Sequence, residues 1–495
     1  MVTDYDAVVV GSGPNGLAAA VTLTAAGQRV LVLEGAAAIG GGCRTSELTL
    51  PGFRHDDCSA VHPLALASPF FRAFDLTGRG VRFASGGAEY AHPLDGARAA
   101  VVRRDVAQTA AGLGADDDAY RRLFGPLTRH ADAITATVLS DLRHPPRRPV
   151  AVVRYGLPAL RSAQRAASRF RTPEARALIA GVAAHGMMPL SQPPTAGLAL
   201  FLGLLAHSAG WPVVAGGSGQ ITQALAQYVR DGGGSVETGR RVSSLRELPS
   251  ARAVLLDVTP GALAAIAGAD LPPGYRRALG RFRYGAGICK ADYALSGPVP
   301  WSNPSCLEAT TLHLGGSFGE IARAEAEVAA GRHPEAPYVL AVQPGVADPG
   351  RAPRGQEVLW TYCHVPAGSA RDMSTAIEAQ IERFAPGFGD LILARSLRTA
   401  AQEEALNPNY VGGDISAGLM TVRQMLARPV PRWNTYRTPL PGVYLCSSST
   451  PPGPGVHGRC GELAARTALR DVFGIRQPPD LSAIRPSAAA TISSG

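Results

Sequence analysis

The chain has 495 residues, 46% of them hydrophobic and 18% charged, with a formal charge of +9. That length is too great for one simple core and predicts two intertwined domains, in the composition of a soluble globular enzyme. Seven scattered cysteines without a CxxC pair exclude a disulfide framework and a metal site, and read as reduced thiols.

Asp6-Ala7-Val8-Val9-Val10 reads as a buried strand that runs into Gly11-Ser12-Gly13-Pro14-Asn15-Gly16 and then an Ala/Leu-rich helix, which Gly27 stops. Arg29 to Leu33 forms a second strand with Glu34 at its carboxyl end. Strand, glycines, helix, strand and acid in this order make a dinucleotide-binding βαβ unit. Gly11 permits the tight turn, Gly13 lets the backbone approach a pyrophosphate, and Gly16 lets the helix pack close to the strand. Pro14 and Asn15 open that helix, whose free N–H groups and positive dipole end face the phosphate. Glu34 would accept from a ribose hydroxyl and repel a 2′-phosphate. The first strand lies so near Met1 that no basic n-region and apolar h-region fit before it, which predicts a cytoplasmic protein.

A second glycine cluster follows at Gly35 and Gly40-Gly41-Gly42-Cys43-Arg44-Thr45. It suggests another close backbone approach to the same extended ligand, with Arg44 as a phosphate partner. NAD-binding domains have no need of this loop, so it favours FAD. The run EGAAAIGGGCRT, followed by LPGFRHDDCSAVHPLALASPFF, resembles the FAD-dependent amine oxidase and carotenoid desaturase superfamily, in particular its phytoene-desaturase-like branch. The resemblance implies Glu34, Gly35, Gly41, Gly42, Arg44 and Thr45 as FAD contacts. It would also bring His55 and His62 near the flavin ring, although core or turn roles fit these histidines as well.

From Phe83 to about Trp211 the pattern reads as helical. Gly197 to Leu205 is apolar but too short to span a bilayer, and reads as a buried helix or, by the resemblance, as the lining of a lipophilic channel. Between Arg143 and Arg176 stand nine arginines against one acid, Glu174. Only two aromatics and no nucleic-acid module accompany them, so no nucleic-acid partner is expected. Arg161, Arg165 and Arg169 recur at i+4 beside Val150, Val152, Val153, Leu157 and Leu160. Residues 143–171 therefore read either as a peripheral membrane-surface helix or as a solvated basic face.

Gly217-Ser218-Gly219 opens no second dinucleotide fold. By the resemblance it begins the return into the FAD domain, where the backbone at Val242 would contact adenine and Ala251 to Pro260 would form the next strand. The hairpin between those two segments is short, which leaves the sheet edge open. Tyr284 to Leu295 alternates like a strand and carries Lys290, the single lysine among 48 basic residues. In the family a lysine at the matching place holds a water against flavin N5; a salt bridge near Asp292 or an exposed charge are the alternatives. Thr310 to Pro366 reads as strands with a helix over 318–330, and 375–384 as another helix.

The chain closes with Gly442 to Thr450, a turn containing Gly453, Gly455, Val456, His457 and Gly458, and the helix CGELAARTALRDVF. This repeats the opening logic, with a helix dipole that would point at the flavin pyrimidine. The resemblance implies Ser448, Ser449, Gly455, Val456 and His457 as further FAD contacts. Ser447-Ser448 stands where many relatives carry Gly-Asp or Gly-Glu, so the usual carboxylate is missing. The tail from Gln477, rich in Pro, Ala and Ser, is expected to be disordered.

The resulting expectation is an α/β protein. A Rossmann-like FAD-binding domain of glutathione-reductase type (1–82, 212–283 and 431–476) interleaves with a substrate domain of mixed sheet plus helices (83–211 and 284–430). By resemblance it would desaturate a lipophilic, isoprenoid or polyene substrate by hydride transfer to flavin N5, with oxygen or a quinone-like molecule as acceptor. Lys290, His62 and His457 are the candidate bases. Amine oxidation, redox-neutral isomerisation or saturation, and a flavin-free prenyl-binding escort role remain as alternatives.

Overall fold

Residues 5–141 and 148–484 are described in the computed structural model. Ala7–Val10 is a strand buried on both faces, as its unbroken apolar run requires. It lies at the centre of a five-stranded sheet ordered Val443–Leu445, Ala253–Leu256, Ala7–Val10, Val30–Leu33, Ser235–Glu237, parallel throughout. Val9, Val32 and Leu255 pack on one side against Leu17 and Val21 of the opening helix, Pro14–Ala25, and Ala464 and Ala468 of the closing helix, Arg459–Val472. Val8, Leu31 and Leu256 pack on the other side against Leu263, Leu271 and Leu279. The edge left open by the sequence is Ser235–Glu237.

The opening and closing helices cross at Gly461. A Cβ there would stand 1.8 Å from the carbonyl oxygen of Asn15 and 2.9 Å from the nitrogen of Ala19. Only a glycine permits this approach, and it brings the first and last glycine turns side by side.

A second sheet has seven strands in the order Ile392–Arg398, Gly287–Leu295, Glu357–Val365, Val339–Val342, Thr311–Leu314, Tyr90–Leu94, Arg98–Val102. Its pairs are antiparallel except Thr311–Leu314 with Tyr90–Leu94. Lys290 sits opposite Tyr362, Asp292 opposite Trp360, and Leu340 opposite both Tyr362 and His313. Since paired residues share a face, these side chains point together, while Cys289, Ala291, Tyr293, Leu359 and Cys363 form a dry core behind them.

Three expectations are corrected. The stretch from Phe83 is not wholly helical: Tyr90–Leu94 and Arg98–Val102 form a hairpin closed by Asp95-Gly96-Ala97, with Gly96 at φ 75 and Ala97 at φ 56. The Asp-Gly turn signal was present, and the neighbouring helical periodicity concealed it. The basic run is not one helix. Pro149–Ala159 ends, Ser162 caps a new helix, Ala163–Ala167, by accepting from the Arg165 N–H at 3.2 Å, and Arg161 falls in the break; residues 143–147 lie outside the described residues. The tail stays packed past Gln477 as far as Ile484, because Leu481 is buried and Arg79 Nη2 donates to the carbonyls of Leu481 and Ile484 at 3.3 and 2.9 Å. Residues 485–495 lie outside the described residues.

The buried helix expected around Gly197–Leu205 spans Thr195–Ser208, and the helices expected near 318–330 and 375–384 span Phe318–Ala329 and Ser374–Phe384. Among the described residues no helix is long and apolar enough to cross a membrane. All seven cysteines are buried free thiols.

Candidate functional site

Three glycines set the geometry of the opening turn. Gly11 takes φ +100, and a Cβ at Gly16 would lie 2.1 Å from the Gly11 carbonyl oxygen, so helix and strand close on each other only with glycine there. Gly13 caps the opening helix, and Pro14 occupies its first position, where no N–H is needed. The second glycine loop backs onto the first: a Cβ at Gly41 would come 3.1 Å from the Gly13 Cα. Glu34 Oε2 accepts from the Ser12 N–H at 2.9 Å and from Ser12 Oγ at 2.5 Å, while Oε1 accepts from the Ala36 N–H at 2.8 Å. The acid is thus fixed in position by Ser12 of the opening glycine turn and by the Ala36 N–H of its own turn.

The two ends of the chain meet directly here. Asn15 Nδ2 donates to Ser448 Oγ at 3.0 Å, and Asn15 Oδ1 is buried without a partner. A single cavity of about 1120 Å³ runs past both turns. Among the residues singled out from the sequence, its wall includes Gly11, Gly13, Pro14, Asn15, Glu34, Gly35, Gly41, Gly42, Arg44, His62, Val242, Ser448, Ser449, Gly455 and Val456. Gly16, Thr45, His457 and Lys290 lie off the wall.

Each of those four has a structural partner. Gly16 N donates to Asp257 Oδ2 at 2.9 Å. Thr45 Oγ1 donates to Asp56 at 2.9 Å and accepts from the Gly219 N–H at 3.1 Å. His457 Nδ1 accepts from the Arg459 N–H at 3.0 Å, so Nε2 carries the proton and donates to the Gly453 carbonyl at 3.1 Å. Burial holds this imidazole neutral, with its pKa lowered to about 4. Lys290 is fully buried, ion-paired with Asp292, and its Nζ lies 5.5 Å from the centre of the Trp360 ring. Burial pulls its pKa down and pushes that of Asp292 up, each against the attraction of the other.

His62 differs from them. It is buried on the cavity wall with neither ring nitrogen hydrogen-bonded, and desolvation lowers its pKa to about 4. Arg44 Nε lies 3.2 Å from Asp57 Oδ2 without making a hydrogen bond. An Asn15 oxygen free to accept and a His62 ring without a partner, beside the ion-paired Arg44 and one glycine-lined cradle, suit a polar ligand that carries both hydroxyl and phosphate groups. The cavity also exceeds the usual size of a single small-molecule site, roughly 300 to 1,000 Å³, as room for a dinucleotide and a second molecule requires.

Sequence reasoning missed Asp257, which follows the strand Ala253–Leu256 and lines the cavity. Its Oδ2 would lie 2.9 Å from a Cβ at Gly13. Desolvation raises its pKa to about 7, and the nearby Glu34 charge adds to this against the Gly16 hydrogen bond. The sign follows from proton counting. Below about pH 4 the carboxyl is protonated in both folded and unfolded chains; between about pH 4 and 7 only the folded chain keeps the proton, so stability falls as pH rises. The loss through this group is on the order of 4 kcal/mol and ends near its folded pKa. Asp257→Asn is therefore expected to flatten the fall in melting temperature over that window; an unchanged slope would assign it to other groups.

In the far half of the cavity the segment 197–205 supplies wall residues, as the resemblance implied, while the others were not singled out from the sequence as lining it. Ile134, Val138, Leu139, Val152, Leu198, Phe201 and Leu202 line it, with Trp360, Tyr362 and His185 at the sheet face. His185 Nε2 lies 2.9 Å from His313 Nε2, and burial lowers its pKa to about 3. The alternation of Tyr284 to Leu295 was the available signal, but not the register that sets Tyr362 beside it.

Residues 9–75 match the model of the NAD(P)-binding Rossmann-like domain. Over 95% of its length the chain is 26% identical to pyridine nucleotide-disulfide oxidoreductase domain-containing protein 2 of Rattus norvegicus, covering 94% of that protein. Among solved structures, an oxidoreductase from Methanosarcina mazei superimposes with a TM-score of 0.63 at 16% identity, over 94% of this chain and 99% of that one. A double mutant of putrescine oxidase, from a redesign of its cofactor binding, does so with a TM-score of 0.60 at 18% identity, over 95% and 99%. These likenesses establish a fold shared with oxidoreductases: a Rossmann-like parallel sheet beside a separate mixed sheet.

Proposed function

We propose that the chain is an FAD-dependent oxidoreductase that dehydrogenates a lipophilic substrate, with isoprenoids and polyenes as the class that suits it. The observation that carries this reading is the single cavity, in which a glycine-lined polar cradle passes without interruption into an apolar chamber. When bound, FAD supplies the hydride acceptor. Gly13, Pro14 and the opening helix N-terminus would hold its pyrophosphate with Arg44, Glu34 its adenosine ribose, and the backbone at Val242 its adenine. Gly455 and Val456, before the closing helix, would flank the pyrimidine.

The apolar chamber excludes water and holds an alkyl chain against the cradle, so the protein's contribution is orientation. The acids on the cavity wall are Glu34, Asp141 and Asp257, and two of these belong to the nucleotide cradle. Of the three candidate bases, His62 alone lines the cavity. The desaturase assignment is supported by the motifs at both ends of the chain and by the apolar wall, and oxygen or a quinone-like acceptor would complete the cycle.

Amine oxidation is the second reading. Trp360 and Tyr362 favour it, with ring centres 5.1 Å apart at an interplanar angle of 72°, as does the likeness to putrescine oxidase. Anaerobic mixing of the FAD-loaded protein with polyenes, isoprenoids and alkyl amines separates the two. Loss of flavin absorbance with isoprenoids or polyenes is expected; loss with amines alone would overturn the lipophilic assignment. A chain that takes up no FAD would point to the escort role.

A further inference from the structure

The helix Pro149–Ala159 separates the apolar chamber from the outside. On its inner side Val152, Tyr155, Gly156 and Ala159 line the cavity, and the Tyr155 hydroxyl donates to the Gly197 carbonyl at 3.0 Å. On its outer side Val150 is 74% exposed, Val153 54% and Leu157 63%, followed by Leu160 at 55%. Spacings of three and four residues set these four on one stripe. Leu160 is at once exposed and part of the cavity wall, so the chamber reaches the surface at this end of the helix.

Arg148 and Arg154 flank or belong to the same helix and Arg161 follows it, Arg165, Arg169 and Arg171 come after the break, and all six are exposed, with no acid from Arg148 to Pro173. Among the described residues none of them joins an ion pair. A soluble surface rarely leaves four large apolar side chains together without a partner. Two copies meeting stripe to stripe would bring like charges together, whereas an anionic surface would neutralise the arginines as it covered the apolar residues.

We propose that this face docks the protein on a bilayer surface carrying anionic phospholipid, with the mouth at Leu160 opening toward the acyl chains. The proposal rests on the reading of the cavity as a lipophilic substrate site and names where that substrate enters. The break between the two helices suits a surface contact, since arginines on both segments can reach headgroups while the stripe dips beneath them.

The test is flotation of the FAD-loaded full chain with phosphatidylcholine vesicles and with vesicles that also contain phosphatidylglycerol. Binding to the mixed vesicles only, weakening as salt rises, is expected. Each arginine near the surface contributes about fivefold in partitioning, so Arg154→Gln with Arg161→Gln should reduce binding about 25-fold. Val153→Ser with Leu157→Ser should reduce it at least about tenfold, with melting temperature unchanged because both residues are exposed. Absence of binding to mixed vesicles would overturn the proposal. So would full binding by the Val153/Leu157 variant, which would show adsorption by charge alone, or a wild-type dimer in sedimentation that this variant dissociates. Vesicle binding without flavin bleaching by any lipophilic compound leaves the docking face standing and rejects the substrate assignment; bleaching without vesicle binding does the reverse.

Discussion

Gly461→Ala is expected to destabilise the protein by roughly 3 kcal/mol, at the upper end of what overpacking costs, and to release its flavin. The reason lies in the atoms that the new methyl group would meet. They are the carbonyl oxygen of Asn15 and the nitrogen of Ala19, 1.8 and 2.9 Å away, and both belong to the backbone of the opening helix. A side chain could rotate aside; a helix must move as a body. Such a shift would part Asn15 from Ser448 and widen the cradle between the two glycine turns. Thermal unfolding together with retained flavin absorbance checks this. Gly274→Ala is the control, because it lies in the helix Pro273–Leu279 with open space around it and is expected to be neutral or slightly stabilising. Equal melting temperatures and equal flavin content for the two variants would refute the argument.

Lys290→Met is expected to cost about 3 to 5 kcal/mol, the usual penalty for leaving one member of a buried ion pair alone. Asp292 is 1% exposed, its Oδ1 has no hydrogen bond, and His55 Nδ1 lies 3.7 Å from that oxygen. Burial first and the Lys290 charge second lower the pKa of that histidine to about 3; the burial remains when the lysine is gone and still opposes a charged imidazole beside Asp292. Lys290→Met with Asp292→Leu should recover most of the loss, since an apolar pair of similar volume is tolerated where an unpaired charge is not. The double variant also separates packing from chemistry. Lys290 lies off the cavity wall, so reoxidation of the reduced flavin by oxygen should proceed in it at the wild-type rate. Slow reoxidation in a stable double variant would return Lys290 to the redox machinery.

How much of this was legible in the sequence depended on the range of the interaction involved. The turn at Gly11, Gly13 and Gly16 was readable because a tight turn, a helix start and a strand of Val residues are each dictated by a few adjacent residues. The hairpin at Asp95-Gly96 was equally local, and was overlooked because a helical pattern stood beside it. The basic run misled for the opposite reason: i+4 spacing appears on paper whether or not one helix persists, and the Ser162 cap ended the continuity.

The sequence by itself determined the two glycine turns, the acid at position 34 and the apolar character of the strands, since these follow from steric and solvation preferences of neighbouring residues. Only the tertiary structure decided that Asp257 lies beneath the cradle, that Lys290 is fully buried in an ion pair with Asp292, and that His457 spends both nitrogens on its own turn. Asp257 reaches Gly16 across 241 positions of sequence, and although Asp292 and the partners of His457 are near neighbours in the chain, the burial that makes those pairings matter comes from the packing of distant elements.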